Sequence, residues 1–308
     1  MPPSSTSTDD RTRWAFEPGH EFVPGLAAWA LLGGGPRCET WLAWDLDRWS
    51  PVAVKLPHPH ELGRAKAEAA LARELAALEG LAHPGLQRLL DARLDASPPH
   101  LVFEYVEGPT LAAALDDEEF ELVDVLLIGT QVATALRYLH GRGLVHLDVK
   151  PGNTVLREGR AVLIDLGIAR RIGQPHPPGR ARGSRTYMAP EQAARAPAHP
   201  SMDLYALGAL LRGLATGARP DEPVASLPPA LAELTDALLR PDPGDRPGTA
   251  EEVLMALAAA LPDGLAEEDR PWPPFVSGLE GRRPPADEQG RPARGPAGAA
   301  AATGGPRG

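Results

Sequence analysis

The stretch LVHLDVKPGNTVL, from Leu144 to Leu156, gives the clearest structural signal in the sequence. Its two ends are apolar and read as short strands, whereas its centre carries Asp148, Lys150 and Asn153. A polar loop between two buried anchors is expected to hold these side chains close together. A carboxylate in such a loop can accept a proton from a hydroxyl group, and a nearby ammonium group can neutralise a transferring phosphoryl group.

The segment that follows, AVLIDLG from 161 to 167, predicts a buried strand leading to Asp165. The amide of Asn153 and the carboxylate of Asp165 supply the hard oxygen ligands that magnesium prefers. We therefore expect Asn153 and Asp165 to be metal ligands.

Two further features lie earlier in the chain. The run LGGGPRCETW, from Leu32 to Trp41, places glycines between candidate strands, where backbone N–H groups can approach a phosphate closely. Lys55 lies in the apolar strand VAVKL, where an ammonium group is costly to bury unless an anion or a carboxylate meets it. We therefore expect Lys55 to have an anionic partner.

The remaining pattern divides the chain into two lobes. Up to Gly108 it reads as strands such as TWLAW, VAVKL and LVFEYV, interrupted by one helix from Gly63 to Leu81. Beyond Gly108, the runs LVDVLLIGTQVATALRYLH and LYALGALLRGLA have the apolar spacing of helices. The expected fold class is α+β, with a small β-rich lobe containing one main helix, a larger helical lobe, and a ligand site in the cleft between them.

Taken together, these segments resemble a protein kinase domain, and they are most similar to the bacterial serine/threonine kinases of the eukaryotic-like type. The resemblance covers about residues 26–261, and its motifs follow in the same order. It extends to GSRTYMAPEQ at 183–192, which resembles the peptide-positioning segment, and to DLYALG at Asp203, which resembles the helix that braces the catalytic loop. It implies a bilobal fold that transfers the γ-phosphoryl group of ATP, with Mg²⁺, to serine and threonine hydroxyls of protein substrates, including the protein itself.

The resemblance also implies a role for each candidate residue. It makes Asp148, Lys150 and Asn153 catalytic, and it keeps Asn153 and Asp165 as ligands of Mg²⁺. Ser184, Glu191 and Arg246 are expected to position the substrate, with Arg246 paired to Glu191. The expected ATP-binding residues are Leu32, Gly33, Gly34, Gly35, Thr40, Ala53, Lys55, Glu74, Glu104 and Val106.

Some of these ATP-site roles depend on position rather than side chain. Glu104 and Val106 are expected to bind adenine through their backbone groups, behind which Phe103 closes the pocket. For the helix glutamate that pairs with Lys55, Glu68 and Glu74 are both candidates. Glu74 is preferred because the segment after it leads to a histidine-proline turn, as it does in the family.

Three positions depart from the family pattern. Cys38 replaces the third glycine of the loop and Thr40 the following valine, which makes the loop tip bulkier and the adenine site more polar. Leu147 replaces the arginine that meets a phosphate on the activation loop. In addition, the loop from Ile168 to Gly183 contains no serine, threonine or tyrosine. Its arginines are read as solvated; they are Arg170, Arg171, Arg180 and Arg182.

Two alternatives stay open from the sequence. A pseudokinase, acting as a scaffold or an ATP-binding regulatory module, is suggested by the altered loop at Cys38 and Thr40. A small-molecule phosphotransferase shares the ATP lobe, but Lys150 and the segment 183–192 argue against it.

Composition limits the partners and the compartment. The 308 residues carry 41 acidic and 31 basic side chains, a net charge of −10, which argues against nucleic acid and anionic membranes as partners. A single cysteine rules out an internal disulfide, and no stretch approaches the roughly 18 uncharged apolar residues of a membrane span. We expect a cytoplasmic protein, and the sequence does not indicate its oligomeric state.

Both ends of the chain read as unstructured. Residues 1–25 are interpreted as a polar leader, in which Ser4 to Asp10 offers hydroxyl groups for autophosphorylation. The tail 262–308 contains nine prolines and nine glycines and is interpreted as disordered. Residues 26–261 are left as the kinase-like domain.

Overall fold

Burial alternates along the strand Cys38–Asp45, in which every second side chain is buried. This alternation is the pattern of a strand with one covered face. The computed structural model describes residues 13–117, 120–176, 183–217 and 227–261. In its first lobe, six antiparallel strands form one sheet in the order β1-β2-β3-β4-β6-β5. These are β1 (Glu21–Val23), β2 (Leu26–Gly34), β3 (Cys38–Asp45), β4 (Ser50–Pro57), β5 (Leu89–Arg93) and β6 (His100–Glu104).

One helix, α1 (Ala65–Leu78), crosses between β4 and β5 and lies within the predicted range 63–81. Its buried residues recur at helical spacing and include Ala67, Leu71 and Leu78. Glu74 is buried on the same face, whereas Glu68 is exposed. The helix therefore presents Glu74, and not Glu68, to the interior of the protein.

The second lobe is built from helices around a leucine-rich core. They are α2 (Leu111–Asp117), α3 (Leu122–Gly141), α4 (Pro190–Ala193), α5 (Pro200–Thr216), α6 (Pro229–Leu238) and α7 (Ala250–Ala260). The small strands between α3 and α4 are β7 (Leu144–Val145), β8 (Thr154–Arg157), β9 (Arg160–Leu163) and β10 (Arg170–Arg171). β8 pairs with β9, and β7 pairs with β10. The predicted architecture of a small β-rich lobe followed by a larger helical lobe is confirmed.

Helix α3 qualifies the expectation that no stretch of the chain is long and apolar enough to span a membrane. Over 20 residues it is long and apolar enough to cross a membrane by length and composition alone, although it contains Asp124 and Arg137. Just over half of its most apolar window, 56%, is buried inside the protein. Its side chains Val125, Leu126 and Leu136 belong to the core of the helical lobe.

The N-terminal segment corrects the prediction of a polar leader over residues 1–25. Strand β1 joins the sheet, and Trp14 and Phe16 pack on the same cluster as Phe22 and Trp41. The Phe16 ring stacks on Phe22 with 4.7 Å between ring centroids. The error has a physical reason: aromatic residues spaced among polar ones cover one face of a sheet without forming an apolar run.

Candidate active site

Helix α5 anchors the loop that contains Asp148 through hydrogen bonds to the Asp203 carboxylate. The carboxylate of Asp203 accepts hydrogen bonds from the backbone N–H groups of His146 and Leu147, at 2.8 and 2.7 Å. The Nε2 of His140, at the end of α3, lies 2.9 Å from the same carboxylate. The Gln192 amide donates to the carbonyl of Leu147 at 2.8 Å. Buried polar groups satisfied in this way fix the backbone on which Asp148 stands.

Asp148 is the centre of the hydrogen-bond network in the loop. Its Oδ2 accepts from the Lys150 ammonium at 2.7 Å and from the Asn153 amide at 2.8 Å. Its Oδ1 accepts from the backbone N–H of Ser184 at 3.1 Å and from the Ser184 hydroxyl at 3.3 Å. Three predicted site residues, Lys150, Asn153 and Ser184, therefore meet at the carboxylate of a fourth, although Ser184 is 36 residues away from it in the chain. Because Oδ1 already contacts a hydroxyl group, it is placed where an acceptor hydroxyl could lose its proton.

Lys55 and two carboxylates form the second cluster. Its Nζ lies 2.8 Å from Oε1 of Glu74 and 2.7 Å from Oδ1 of Asp165. Burial alone would lower the pKa of Lys55, but the two carboxylates raise it above its ordinary value, so the ammonium stays charged. The two ion pairs of Lys55 link the sheet to helix α1, through Glu74, and to the segment after β9, through Asp165.

The two carboxylates of that cluster differ in pKa. Burial raises the pKa of Glu74, against the opposing effect of Lys55. Burial also acts on Asp165, but the charge of Lys55, its hydrogen bond and the N–H of Gly167 together lower the pKa of Asp165 to about 2. The side chain of Asp165 is 46% exposed, so this ionised carboxylate faces the cleft.

Gly167 has a role that the sequence did not single out. A Cβ atom at this position would lie 2.8 Å from both Oδ1 of Asp165 and Nζ of Lys55. The backbone N–H of Gly167 also donates to Oδ1 of Asp165 at 3.0 Å. The ion cluster thus occupies the space that any side chain at position 167 would need.

The glycine loop joins β2 to β3 beside this cluster. The register pairs Gly33 with Thr40, and Thr40 with Lys55, so Thr40 lies next to the lysine. Leu32 is 46% exposed, and Gly34 and Gly35 lie at the tip of the hairpin.

The expected adenine side of the cleft is formed by β4 and β6. Ala53 pairs with Phe103, and both are buried. The Glu104 backbone is already engaged, because its N–H donates to the Arg88 carbonyl and its carbonyl accepts from the Gln87 amide at 3.0 Å. A carbonyl has two lone pairs, so that of Glu104 can still accept one further hydrogen bond.

Cys38 stands at the end of the loop, where the family keeps a glycine. Burial raises the pKa of the Cys38 thiol to about 11, against the opposing charge of Lys55. The side chain packs against the main core. At neutral pH it is therefore a protonated thiol, and its main effect on the site is its volume.

Glu191 and Arg246 form a bidentate ion pair next to α5. Arg246 donates to the two carboxylate oxygens at 2.6 and 2.8 Å, and its side chain is completely buried. It also donates to the carbonyls of Ser201, Arg240 and Pro241 and lies 4.9 Å from the ring centroid of Tyr205. The pair ties the segment that follows Ser184 to the chain that precedes α7.

The region around Leu147 differs partly from the sequence-based interpretation. Leu147 is buried and packs with Ala189 and Met202, so an apolar residue fills the place where the family keeps an arginine. Arg170 was interpreted as solvated, but it is only 7% exposed because β10 pairs with β7. Burial and the nearby charge of Arg73 lower the pKa of Arg170. Arg171 is exposed as expected, whereas Arg180 and Arg182 lie outside the described residues.

The donor set of the cleft fits a divalent cation and a phosphate. Asn153 uses its amide N–H₂ group on Asp148, with a second contact of 3.0 Å to the Asp148 carbonyl, so its Oδ1 is the atom left for a cation. The ionised Asp165 supplies the second hard oxygen. Lys55 supplies a fixed positive charge for a phosphate. The predicted metal ligands are therefore in the same cleft as the predicted phosphate-binding residues.

Comparison with known proteins agrees with this geometry. The family model described as "Protein kinase domain" matches residues 28–256. Serine/threonine-protein kinase PksC of Streptomyces coelicolor is 32% identical over 259 residues, which cover 72% of this chain and 46% of the relative. Serine/threonine-protein kinase pkn2 of Myxococcus xanthus is 31% identical over 74% of this chain and 31% of the relative. Probable serine/threonine-protein kinase PkwA of Thermomonospora curvata is 31% identical over 81% of this chain and 35% of the relative.

The chain spans less than half the length of each of these three relatives. The family match, by contrast, extends over both lobes and includes every residue of the Asp148 network and of the Lys55 cluster. The chain belongs to the protein kinase domain family.

Proposed function

We propose that this protein is a serine/threonine protein kinase that transfers the γ-phosphoryl group of MgATP to hydroxyl groups of protein substrates, including its own. The observation that carries the proposal is the convergence of Lys150, Asn153 and Ser184 on the carboxylate of Asp148. The named relatives, which are serine/threonine kinases, support the same activity.

In the proposed reaction, Asp148 orients the acceptor hydroxyl and takes its proton through Oδ1. The acceptor oxygen forms a bond to the γ-phosphorus as the bond to the β,γ-bridging oxygen breaks, and ADP leaves. Lys150, held 2.7 Å from Asp148, stabilises the charge on the phosphoryl group in transit. Asp148 and Lys150 thus act on opposite partners of one transfer.

The nucleotide is proposed to bind between the lobes. Lys55, fixed by Glu74, would hold the α- and β-phosphates under the glycine loop. Asn153 and Asp165 would hold Mg²⁺, which would neutralise part of the phosphate charge. Adenine would pack against Ala53, Leu32 and Thr40 and bond to the backbones of Glu104 and Val106.

Substrate choice is proposed to depend on the segment that begins at Ser184. Lys150 and the Ser184 hydroxyl bracket Asp148, and the Glu191–Arg246 pair holds the remainder of this segment in place. This arrangement supports a peptide acceptor and disfavours a small-molecule acceptor.

We propose a kinase domain that extends from about residue 13 to residue 261, a tail over 262–308, and a cytoplasmic protein without nucleic-acid or membrane partners. The first boundary replaces residue 26 because Trp14, Phe16 and Phe22 pack on the sheet. The proposed autophosphorylation segment, Ser4 to Asp10, and the tail with Trp272 and Phe275 lie outside the described residues.

The test is transfer of labelled phosphate from ATP to peptides that differ only in a serine, a threonine or a tyrosine acceptor. We expect label on serine and threonine, and a loss of at least about a hundredfold in Asp148→Asn, the usual size of a general-base contribution. Asp95→Asn, at an exposed aspartate of the same size, serves as the control and should keep the activity. Nucleotide binding without any transfer would instead identify a pseudokinase, and label on tyrosine alone would exclude the proposal.

A further inference from the structure

The tip of the glycine loop is tied to the end of β4 by one histidine. The His58 Nε2 lies 2.8 Å from the carbonyl oxygen of Gly35. The His58 backbone N–H donates to the Arg37 carbonyl, also at 2.8 Å. Within the hairpin, Gly35 is held by one further bond, from its N–H to the Cys38 carbonyl at 2.8 Å. The position of the loop tip relative to the sheet therefore depends on His58.

The other ring nitrogen of His58 meets a buried glutamate. Nδ1 lies 2.9 Å from Oε1 of Glu39, whose side chain has no exposed surface. The same carboxylate accepts from the indole N–H of Trp41 at 2.9 Å and from the backbone N–H of Trp14 at 3.3 Å. Three donors around one buried group favour an ionised carboxylate, which only accepts hydrogen bonds.

Both neighbours of the His58 ring are therefore acceptors. A neutral imidazole has one N–H donor and can serve only one of them, whereas the doubly protonated ring serves both. His58 thus bridges the Gly35 carbonyl and the Glu39 carboxylate through its two ring nitrogens.

The charged groups around this pair are few. The His60 ring stacks on His58 with centroids 5.3 Å apart, and its Nε2 lies 3.6 Å from Glu61. Glu61 is also paired with Arg64 at 3.2 Å. On the side of β3 the only carboxylate in contact with the His58 ring among the described residues is Glu39, and the side chains of both are buried.

We propose that His58 is a positioning residue of the glycine loop: its ring, held at Nδ1 by Glu39, ties the Gly35 carbonyl to the end of β4. The consequence for catalysis rests on the proposed function, in which this loop covers the phosphates of MgATP. His58 and Glu39 do not touch the reacting atoms in that function.

Three variants distinguish the contact of His58 with Gly35 from its contact with Glu39. His58→Gln removes the imidazole ring that contacts both Gly35 and Glu39. Glu39→Gln keeps the loop link, because its amide donates to Nδ1 while Nε2–H still binds Gly35. His20→Gln changes an exposed histidine of the same lobe and is the matched control.

The first measurement is made on the full chain without nucleotide. Amide hydrogen exchange of Gly35 and Cys38 should be faster in His58→Gln than in wild type, and unchanged in His20→Gln and in Glu39→Gln, which keeps the link to Gly35. Wild-type exchange in His58→Gln would overturn the proposal.

The second measurement is the affinity for MgATP, with the free energy of unfolding of each variant recorded beside it. We expect the Kd to rise about threefold to tenfold in His58→Gln, the range of one hydrogen bond. Glu39→Gln, which keeps the link to Gly35, should bind MgATP as tightly as wild type. Equal Kd values in all four proteins would contradict a positioning role. If wild type binds MgATP but transfers no phosphate, the proposed function fails while the positioning role is still decided by these values.

Discussion

Each carboxylate oxygen of Asp148 has its own hydrogen-bond partners, and the two oxygens have different proposed roles. Oδ2 is held by Lys150 and Asn153, which fixes the orientation of the group. Oδ1 faces Ser184 and is the oxygen that an acceptor hydroxyl would meet. At the scale of single residues, the site therefore depends on atoms placed within a few tenths of an ångström, and small changes in volume or charge are expected to matter.

Cys38 provides a test of burial in the glycine loop. Since burial raises its pKa from 9.0 to about 11, the folded protein should contain about a hundredfold less thiolate than an unfolded chain at any pH below 9. We expect alkylation by iodoacetamide to be slowed to a similar degree, and to accelerate as the pH rises towards 11.

The control for this prediction is the same protein in concentrated urea. Because the chain has a single cysteine, every alkylation event reports on Cys38. Alkylation of the folded protein at the rate found in urea would show that the thiol is neither buried nor shifted.

The substitution Gly167→Ala tests whether the ion cluster of Lys55 and Asp165 tolerates a side chain at position 167. Gly167→Ala brings a methyl group to within 2.8 Å of Lys55 and Asp165, so one of these side chains must move. We expect kcat/KM for MgATP to fall at least about tenfold, because misplacing a catalytic group by 1 Å has effects of this size or larger.

Gly141→Ala is the matched substitution, since a Cβ atom at position 141 meets nothing within 4 Å. Steady-state kinetics of both variants should separate a local effect from a general one. Unchanged kcat/KM in Gly167→Ala would mean that the Lys55 contacts are not required for the reaction.

At the scale of elements, the site is assembled from strands, helices and loops that lie far apart in the sequence. Lys55 comes from β4, Glu74 from α1 and Asp165 from the segment after β9, and one ion cluster joins them. The Glu191–Arg246 pair does the same for α4 and the chain before α7. Such pairs are placed by packing, and the loss of one member leaves a buried charge without compensation.

Glu191→Gln tests this statement. It leaves the guanidinium of Arg246 buried and opposite a neutral amide, so we expect the free energy of unfolding to fall by about 3–5 kcal/mol. Urea denaturation measures it directly.

The surface pair Arg137–Glu251 supplies the control, because both of its side chains are about half exposed, at 53% and 50%. Glu251→Gln should change the free energy of unfolding by no more than about 1 kcal/mol. Equal effects of the two substitutions would show that burial of Arg246 does not set the strength of its pair.

The residues that the sequence predicted well are those with a local pattern. Asp148, Lys150 and Asn153 lie within six positions of one another, Lys55 stands out in an apolar strand, and resemblance to the family favoured Glu74 as its partner. The network of Glu39 and His58 was not predicted, because these residues are 19 positions apart and meet only through strand pairing. The same limitation applies to buried Arg170 and to the packed N-terminal segment, whose burial depends on tertiary contacts.

At the scale of the whole molecule, the sequence and the described structure both argue against a phosphate switch in the activation loop of the proposed kinase. Residues 168–183 contain no hydroxyl acceptor. Leu147 fills the place of the phosphate-binding arginine and is packed in an apolar cluster. We therefore expect phosphatase-treated and untreated enzyme to have the same initial rate on an added substrate.

Thr186 is the acceptor nearest to this loop whose side chain is not assigned to the site, and Thr186→Ala is the variant that accompanies the test. A lag that prior incubation with MgATP abolishes, and that is missing in Thr186→Ala, would show that phosphorylation next to the loop activates the enzyme.

The most direct test of the central claim compares MgATP affinity and single-turnover phosphoryl transfer in wild type, Asp148→Asn and Asp165→Asn. The account predicts that Asp148→Asn binds MgATP as tightly as wild type but transfers phosphate at least about a hundredfold more slowly, since Asp148 acts on the acceptor and not on the nucleotide. It predicts that Asp165→Asn loses both affinity and transfer, because it removes a charge that contacts Lys55 and is proposed to hold Mg²⁺. Transfer at the wild-type rate in Asp148→Asn, or wild-type MgATP affinity in Asp165→Asn, would contradict it.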